Sequence, residues 1–349
     1  MIPPPSPPSA ERLLELIDLM AHQPVAMLVD LVADRFISGS PKRISREAPV
    51  LILRHDGDTL VPGGGANAVA NVAALGGRAL PFGVVGSDRS GRRLLELFSQ
   101  RGIETRGILV SEGYRTPTKT RVLAGGRHAI KQQVVRYDIE DTWTPTAAEE
   151  GDLANRMGDL AQGARVAVAS DYGYGAVGDG PLVALRRALG SAVPILGDSR
   201  YRLGVLGGLD GATPNLEEAE ALCGVPLDDR DQLVAAGERQ RRSLGMGFLL
   251  VTRGSAGMTL FVPGFAVHMP VHGTDQVADV TGAGDTVIGT FALSLAAGAQ
   301  PLEAACLANY AGGVVVMKMG TATLDRDELR RAVLSDPNPL GAITSDPTG

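Results

Sequence analysis

The sequence predicts an α/β fold: a mostly parallel central sheet flanked by helices, with a small β-sheet lid. Three observations carry this. From Ala147 onward, short apolar runs alternate with amphipathic segments, the pattern of a buried parallel sheet with helices on both faces. Two stretches, at about 36–60 and 116–138, break into short alternating runs punctuated by Gly, Pro and Asp, a hairpin texture. Two long segments rich in small residues close the pattern, Asp285 to Ala297 and Leu302 to Val316.

In chain order, residues 1–10 are proline-rich and read as a disordered leader, and Glu11 to Met20 has helical apolar spacing. Val25 to Val29 is a buried strand. Pro62-Gly63-Gly64-Gly65 is a sharp turn before a small-residue helix, Ala66 to Leu75, which Gly76-Gly77 ends. Leu80 to Val85 is a strand and Arg92 to Arg101 a helix. Thr120 to Leu123 and Gln133 to Tyr137 are strands of the second insertion, which pairs with the first into one sheet over the ligand edge. Val166 to Ala169, Val193 to Leu196, Gly211 to Pro214 and Phe248 to Thr252 are strands. Leu216 to Leu222 and Asp229 to Leu244 are helices, and Leu260 to Met269 is a late hairpin. The main domain is expected over 11–335, with a flexible tail at 336–349. No internal repeat or interdomain linker is visible.

With 349 residues, 44% of them hydrophobic and 21% charged, the chain has the composition of a globular protein. A net charge of −6 argues against a general nucleic-acid binder. No apolar run reaches the ~18 residues that span a bilayer, so no membrane partner is expected. Cys223 and Cys306 have no metal-type spacing and are too few for a disulfide scaffold, which fits a cytoplasmic protein.

The chemistry is concentrated in Asp279-Val280-Thr281-Gly282-Ala283-Gly284-Asp285-Thr286. A turn of glycine and alanine running into a helix leaves backbone N–H groups pointing outward at a positive helix end, an anion hole. The amides of Ala283, Gly284 and Asp285 suit phosphoryl oxygens, and the Asp285 carboxylate suits removal of a proton from an attacking hydroxyl. A plain helix-start acid explains Asp285 equally well from these residues.

That octapeptide resembles the signature of the ribokinase-like (PfkB-type) carbohydrate kinases. The likeness runs from about Val25 to Arg331 and is nearest to the kinase domain of the bacterial heptose-phosphate kinase/ADP-heptose synthase group. Arg43 to Val50, Pro62-Gly63-Gly64 with Asn67 and Asn71, Ser170-Asp171-Tyr172, Thr213-Pro214-Asn215 and Thr281 to Gly289 carry it. Too few residues follow Arg331 for a nucleotidyltransferase domain, so only the kinase activity is expected.

The resemblance implies ATP-dependent transfer to a sugar or sugar phosphate, with Asp285 as base and Gly282, Ala283 and Gly284 as the anion hole. It places Asp34, Gly63, Gly64, Asn67, Lys119, Arg136 and Asp171 at the sugar, where carboxylates and amides bind hydroxyls. A solvated surface acid is the alternative for Asp34. Asn215, Glu218, Thr252, Gly254, Gly257 and Asn309 fall near the nucleotide, Glu218 acting on Mg²⁺ through water. Capping explains Asn215 as well, and an exposed helix position explains Asn309. Asp279 and Thr281 match a site that holds K⁺ in many relatives. A homodimer through the lid is expected.

Departures from the heptose-phosphate pattern are specific. Tyr174 and Arg200 stand where lysines are expected, and Val29-Asp30 replaces an early Gly-Asp. Lys and Arg are unequal phosphate ligands, though Arg200 and Arg202 restore charge nearby. Another sugar or nucleoside acceptor therefore stays open, as does a catalytically silent sugar-binding or regulatory protein on the same fold. There is no P-loop, no protein-kinase motif set and no dinucleotide fingerprint.

Overall fold

Ser9 opens the first helix, α1 (Ala10–Leu19), by accepting from the Arg12 amide, and Leu13, Leu16 and Ile17 form its buried stripe. A computed structural model of the chain describes residues 5–126, 131–273, 278–336 and 338–348. Residues 1–4 of the expected leader, 127–130 of the second lid segment, and 337 and 349 of the expected tail lie outside the described residues.

β1 (Pro24–Val29) is buried almost throughout, as a strand covered on both faces must be. The chain then leaves the core as a long antiparallel ribbon, β2 (Leu31–Ile44) and β3 (Leu51–Gly64). It returns through α2 (Gly65–Ala74) to β4 (Arg78–Gly86), α3 (Arg89–Gln100) and β5 (Ile108–Ser111). A second excursion supplies β6 (Thr118–Ala124) and β7 (Gln132–Ile139), followed by α4 (Ala147–Leu160), β8 (Val166–Asp171), α5 (Asp179–Leu189) and β9 (Ile195–Ser199). Next come β10 (Gly211–Ala212), α6 (Leu216–Cys223), α7 (Arg230–Ser243), β11 (Phe248–Thr252), β12 (Met258–Val262) and β13 (Phe265–Met269). Then follow α8 (Ala283–Ala296), α9 (Pro301–Val315), α10 (Arg326–Ser335), the short α11 (Asn338–Gly341) and β14 (Thr344–Pro347).

Among the described residues the main sheet has ten strands in the order β14-β13-β12-β11-β10-β9-β8-β1-β4-β5. It is parallel from β5 to β11 and antiparallel beyond. β1 lies in the middle, with β4 on one side and β8 on the other, so the strand order reverses there. Ligands in such sheets bind outside the carboxyl ends of the strands at that reversal. Alternate residues of β1 feed two cores: Val25, Met27 and Val29 pack in the one that includes Leu13 of α1 and Phe291 of α8, Ala26 and Leu28 in the one that includes Leu153 of α4 and Leu185 of α5.

The second sheet, β3-β2-β6-β7, is built from both excursions. Its ribbon is longer than the expected 36–60, because Leu31 to Arg35 and Val61 to Gly64 continue the pairing down to the main sheet. The expected flexible tail needs correction. Residues 344–347 pair along β13, and Asp346 is held by Arg230 and by His268. Backbone pairing at an open edge does not depend on apolar side chains, so composition misreads such a segment.

Candidate active site

The carboxyl ends of β1, β8, β9, β10 and β11 converge on the N-terminus of α8. Gly282 caps that helix in the left-handed region (φ 79°), and a Cβ there would lie 2.5 Å from Asn67 Nδ2. Asp285, on the first turn, is 3% exposed and takes part in none of the ion pairs among the described residues. It accepts from the Tyr172 hydroxyl at 2.7 Å and from Asn67 Nδ2 at 3.1 Å. Asn71 donates to Asn67 Oδ1 at 3.2 Å, which turns the Asn67 amide so that its nitrogen faces Asp285. Burial pushes the Asp285 carboxyl up to about 7, against the lowering effect of those two hydrogen bonds.

A cavity of about 430 Å³ opens in front of Asp285. Its lid side is cationic, and the strand register explains why. Asp34 pairs with Lys119 across β2 and β6, and Arg121 with Arg136 across β6 and β7. Residues two apart on a strand share a face, so all four reach the same cavity. Asp34 is 3% exposed, ion-paired to Arg121 at 2.7 Å and hydrogen-bonded by the Thr321 hydroxyl at 2.7 Å. Gly63 makes room for it: a Cβ there would lie 2.6 Å from the carboxylate. Lys119 is buried, which lowers its pKa, and has no hydrogen-bond partner among the described residues. Arg200 completes the cationic wall, whereas Arg136 is shared with Asp138.

A second cleft of about 1000 Å³ lies on the other side of the Gly282–Gly284 turn. Thr252, Gly254, Gly257 and Asn309 line it, with Ala283 and Gly284 at its inner end. Asn215, Thr252, Val280 and Gly284 border both spaces. A Cβ on Gly284 would meet nothing within 4 Å, since that residue faces the open junction.

The chain's match to the pfkB family carbohydrate kinase model covers residues 26–166 and 188–328. The chain belongs to the pfkB family of carbohydrate kinases. It is 38% identical over 338 residues to the bifunctional protein HldE of Mesorhizobium japonicum, covering 96% of this chain and 66% of that protein. To the HldE of Halorhodospira halophila it is 44% identical over 324 residues, with 90% and 64% covered. The chain thus spans about two thirds of the length of these relatives. Escherichia coli phosphofructokinase-2 in complex with substrates and products has the same fold (TM-score 0.73, 19% identity, 90% of this chain and 99% of that one). So does Arabidopsis thaliana ribokinase complexed with ribose and ATP (TM-score 0.68, 20% identity, 89% and 99%). The expected ribokinase-like fold and carbohydrate kinase activity stand, and the silent binding protein is not favoured.

Not every residue expected at the sugar lines this kinase's cavity. Gly64 does, while Gly63 sits behind Asp34 and Asn67 behind Asp285. Asp171 borders the cavity, with its oxygens accepting from Ser199 Oγ and the Gly173 amide. Arg202 braces the neighbouring turn through the Val177 carbonyl, and the Tyr174 hydroxyl goes to Glu140. Asn215 and Glu218 form a reciprocal capping box, the explanation open from sequence, yet both also border the cavity. The Asn309 amide donates to the Pro270 carbonyl. Asp279 accepts from the Thr281 and Gly320 amides, which shapes the loop before α8.

Sequence reasoning gave no role to Arg121, Tyr172, Asp198 or Thr321. Alternation from Lys119 would have found Arg121. Thr321 gives no local signal, because only the fold brings it to Asp34. Asp198 has no hydrogen-bond donor among the described residues, and burial beside Glu218 raises its pKa well above the usual range. Of the carboxylates that line this cavity, Asp198 and Glu218 lie close enough to influence each other, and such a pair of hard ligands fits Mg²⁺, which keeps several waters and shares substrate phosphates.

Proposed function

We propose that this kinase moves the γ-phosphoryl group of ATP to a hydroxyl of a heptose phosphate, D-glycero-D-manno-heptose 7-phosphate, with Asp285 as the base. One observation carries the reading: a buried carboxylate, in no ion pair among the described residues, stands where a cavity with a cationic wall meets a glycine-lined cleft at a helix N-terminus. The cleft takes the nucleotide, with Gly254, Gly257 and Asn309 along it. The amides at Ala283, Gly284 and Asp285 hold the moving phosphoryl oxygens as charge develops. Asp34, tied by Arg121 and Thr321, receives sugar hydroxyls, and Asp285 takes the proton of the attacking one.

Lys119, Arg136 and Arg200 supply positive charge for a phosphate already on the acceptor. The Arg43 to Val50 and Ser170 to Tyr172 motifs support a heptose. Glu218 and Asp198 would hold Mg²⁺, which when bound neutralises phosphate charge. Asp279 and Thr281 are proposed to serve K⁺. Among the described residues no helix is long and apolar enough to cross a membrane, which agrees with a cytoplasmic enzyme.

Release of ADP, followed with phosphorylated and unphosphorylated heptoses, hexoses and pentoses, tests this. Heptose 7-phosphate should give the highest kcat/KM, with plain heptose about a hundredfold lower, since Lys119, Arg136 and Arg200 would then face the cavity without the anion they bind. Equal turnover of an unphosphorylated sugar would contradict the acceptor assignment.

A further inference from the structure

We propose that Tyr172 is a positioning residue for the transfer: its hydroxyl holds the Asp285 carboxylate in the one orientation that meets the acceptor hydroxyl. This rests on Asp285 being the base. The hydroxyl donates to Asp285 Oδ1 at 2.7 Å, and Asn67 donates to Oδ2 at 3.1 Å. The donors come from separate elements, the segment after β8 and helix α2, so together they fix the plane of the carboxylate. Each carboxylate oxygen has two lone-pair directions, which leaves one on each for an incoming hydroxyl.

The tyrosine is itself held in place. Its amide donates to Asp30 at 2.8 Å. Its ring lies against Gly64, where an added Cβ would be 3.2 Å away, and below Lys119 Nζ (5.1 Å) and Arg200 Cζ (5.9 Å). Burial keeps the phenol protonated, so it stays a donor. The charged groups around Asp285 oppose one another: Asp34 on β2 and Asp198 on β9 disfavour its ionised form, while Lys119 on β6 favours it. Arg200, beyond β9, acts on Tyr172 and Asp198. Among the contacts that favour ionised Asp285, the Tyr172 hydroxyl is the largest, ahead of Asn67 and Lys119.

Tyr172→Phe keeps the ring and removes only the hydroxyl. At pH 7 kcat should fall about tenfold, with KM for ATP and acceptor within about twofold. The acid limb of kcat against pH should move upward, because a hydrogen bond to the charged form is lost, so the deficit shrinks above about pH 8. Site-specific 3-fluorotyrosine at position 172, a stronger donor, should move the limb downward. Adding Tyr172→Phe to Asp285→Asn should cost nothing further, since the tyrosine acts through that carboxylate. An unmoved acid limb in both tyrosine variants, or the same fold-loss at every pH, would overturn the proposal. Should Asp285→Asn be inactive while Tyr172→Phe behaves as wild type, only this inference fails. Near-normal turnover of Asp285→Asn would remove the base reading and this inference with it.

Discussion

At the scale of single residues the site turns on one carboxylate with two opposed influences. Burial raises the Asp285 pKa, and the Tyr172 and Asn67 donors pull it back, leaving it at about 7. A base of that strength is half ionised near neutrality, which suits proton removal from an alcohol during transfer. The sign of the pH dependence follows. Below about pH 7 the carboxyl is protonated and cannot accept, so kcat should fall about tenfold per pH unit on the acid side. A kcat–pH profile measured with saturating substrates checks this. A flat profile down to pH 5 would show that no group with a raised pKa controls the step.

Elements place these residues, and here the sequence was unevenly legible. The turn into α8 could be read directly, because Gly282-Ala283-Gly284 before an apolar helix marks a helix start, while the role of Asp285 beyond a first-turn acid came only from the family resemblance. The small-residue helix α2 was legible for the same reason, and it stacks on α8 so that Asn67 reaches Asp285. The lid was legible as texture but not as register. That Asp34 faces Lys119 depends on β2 pairing parallel to β6, a contact 85 residues apart in the chain, and that Arg121 faces Arg136 depends on β6 pairing antiparallel to β7. Local pattern carries no information about such pairings. Asp30 shows the same limit. From sequence it departs from a family pattern. In the fold its carboxylate accepts the Tyr172, Tyr174 and Ala176 amides and so folds the segment after β8 beneath the site. Residues 344–347 were misread because an edge strand is set by what it pairs with, not by its own side chains.

For the whole molecule, the reversal of strand order at β1 puts the cleft at the carboxyl ends of the central strands, and the lid residues Asp34, Lys119, Arg121 and Arg136 line its other side. Arg136 faces the cavity, so Val135 and Tyr137 on either side of it point to the lid's outer face, where they are 54% and 61% exposed. Ile44 and Leu51 at the ribbon's end are exposed too. A sheet carrying such residues tends to pair with another, and a second copy of the lid is the proposed partner. Light scattering at micromolar concentration should give a dimer, and Val135→Lys with Tyr137→Lys should return it to the 36.3 kDa monomer. A wild-type monomer would contradict that assembly.

The central claim is that Asp285 removes the acceptor proton at the junction of two cavities. Turnover and ligand binding of Asp285→Asn, measured side by side, test it most directly. The account predicts ATP and acceptor affinities within a few-fold of wild type and a kcat lower by about a hundredfold or more. Near-normal turnover, or a loss explained entirely by weaker binding, would contradict it.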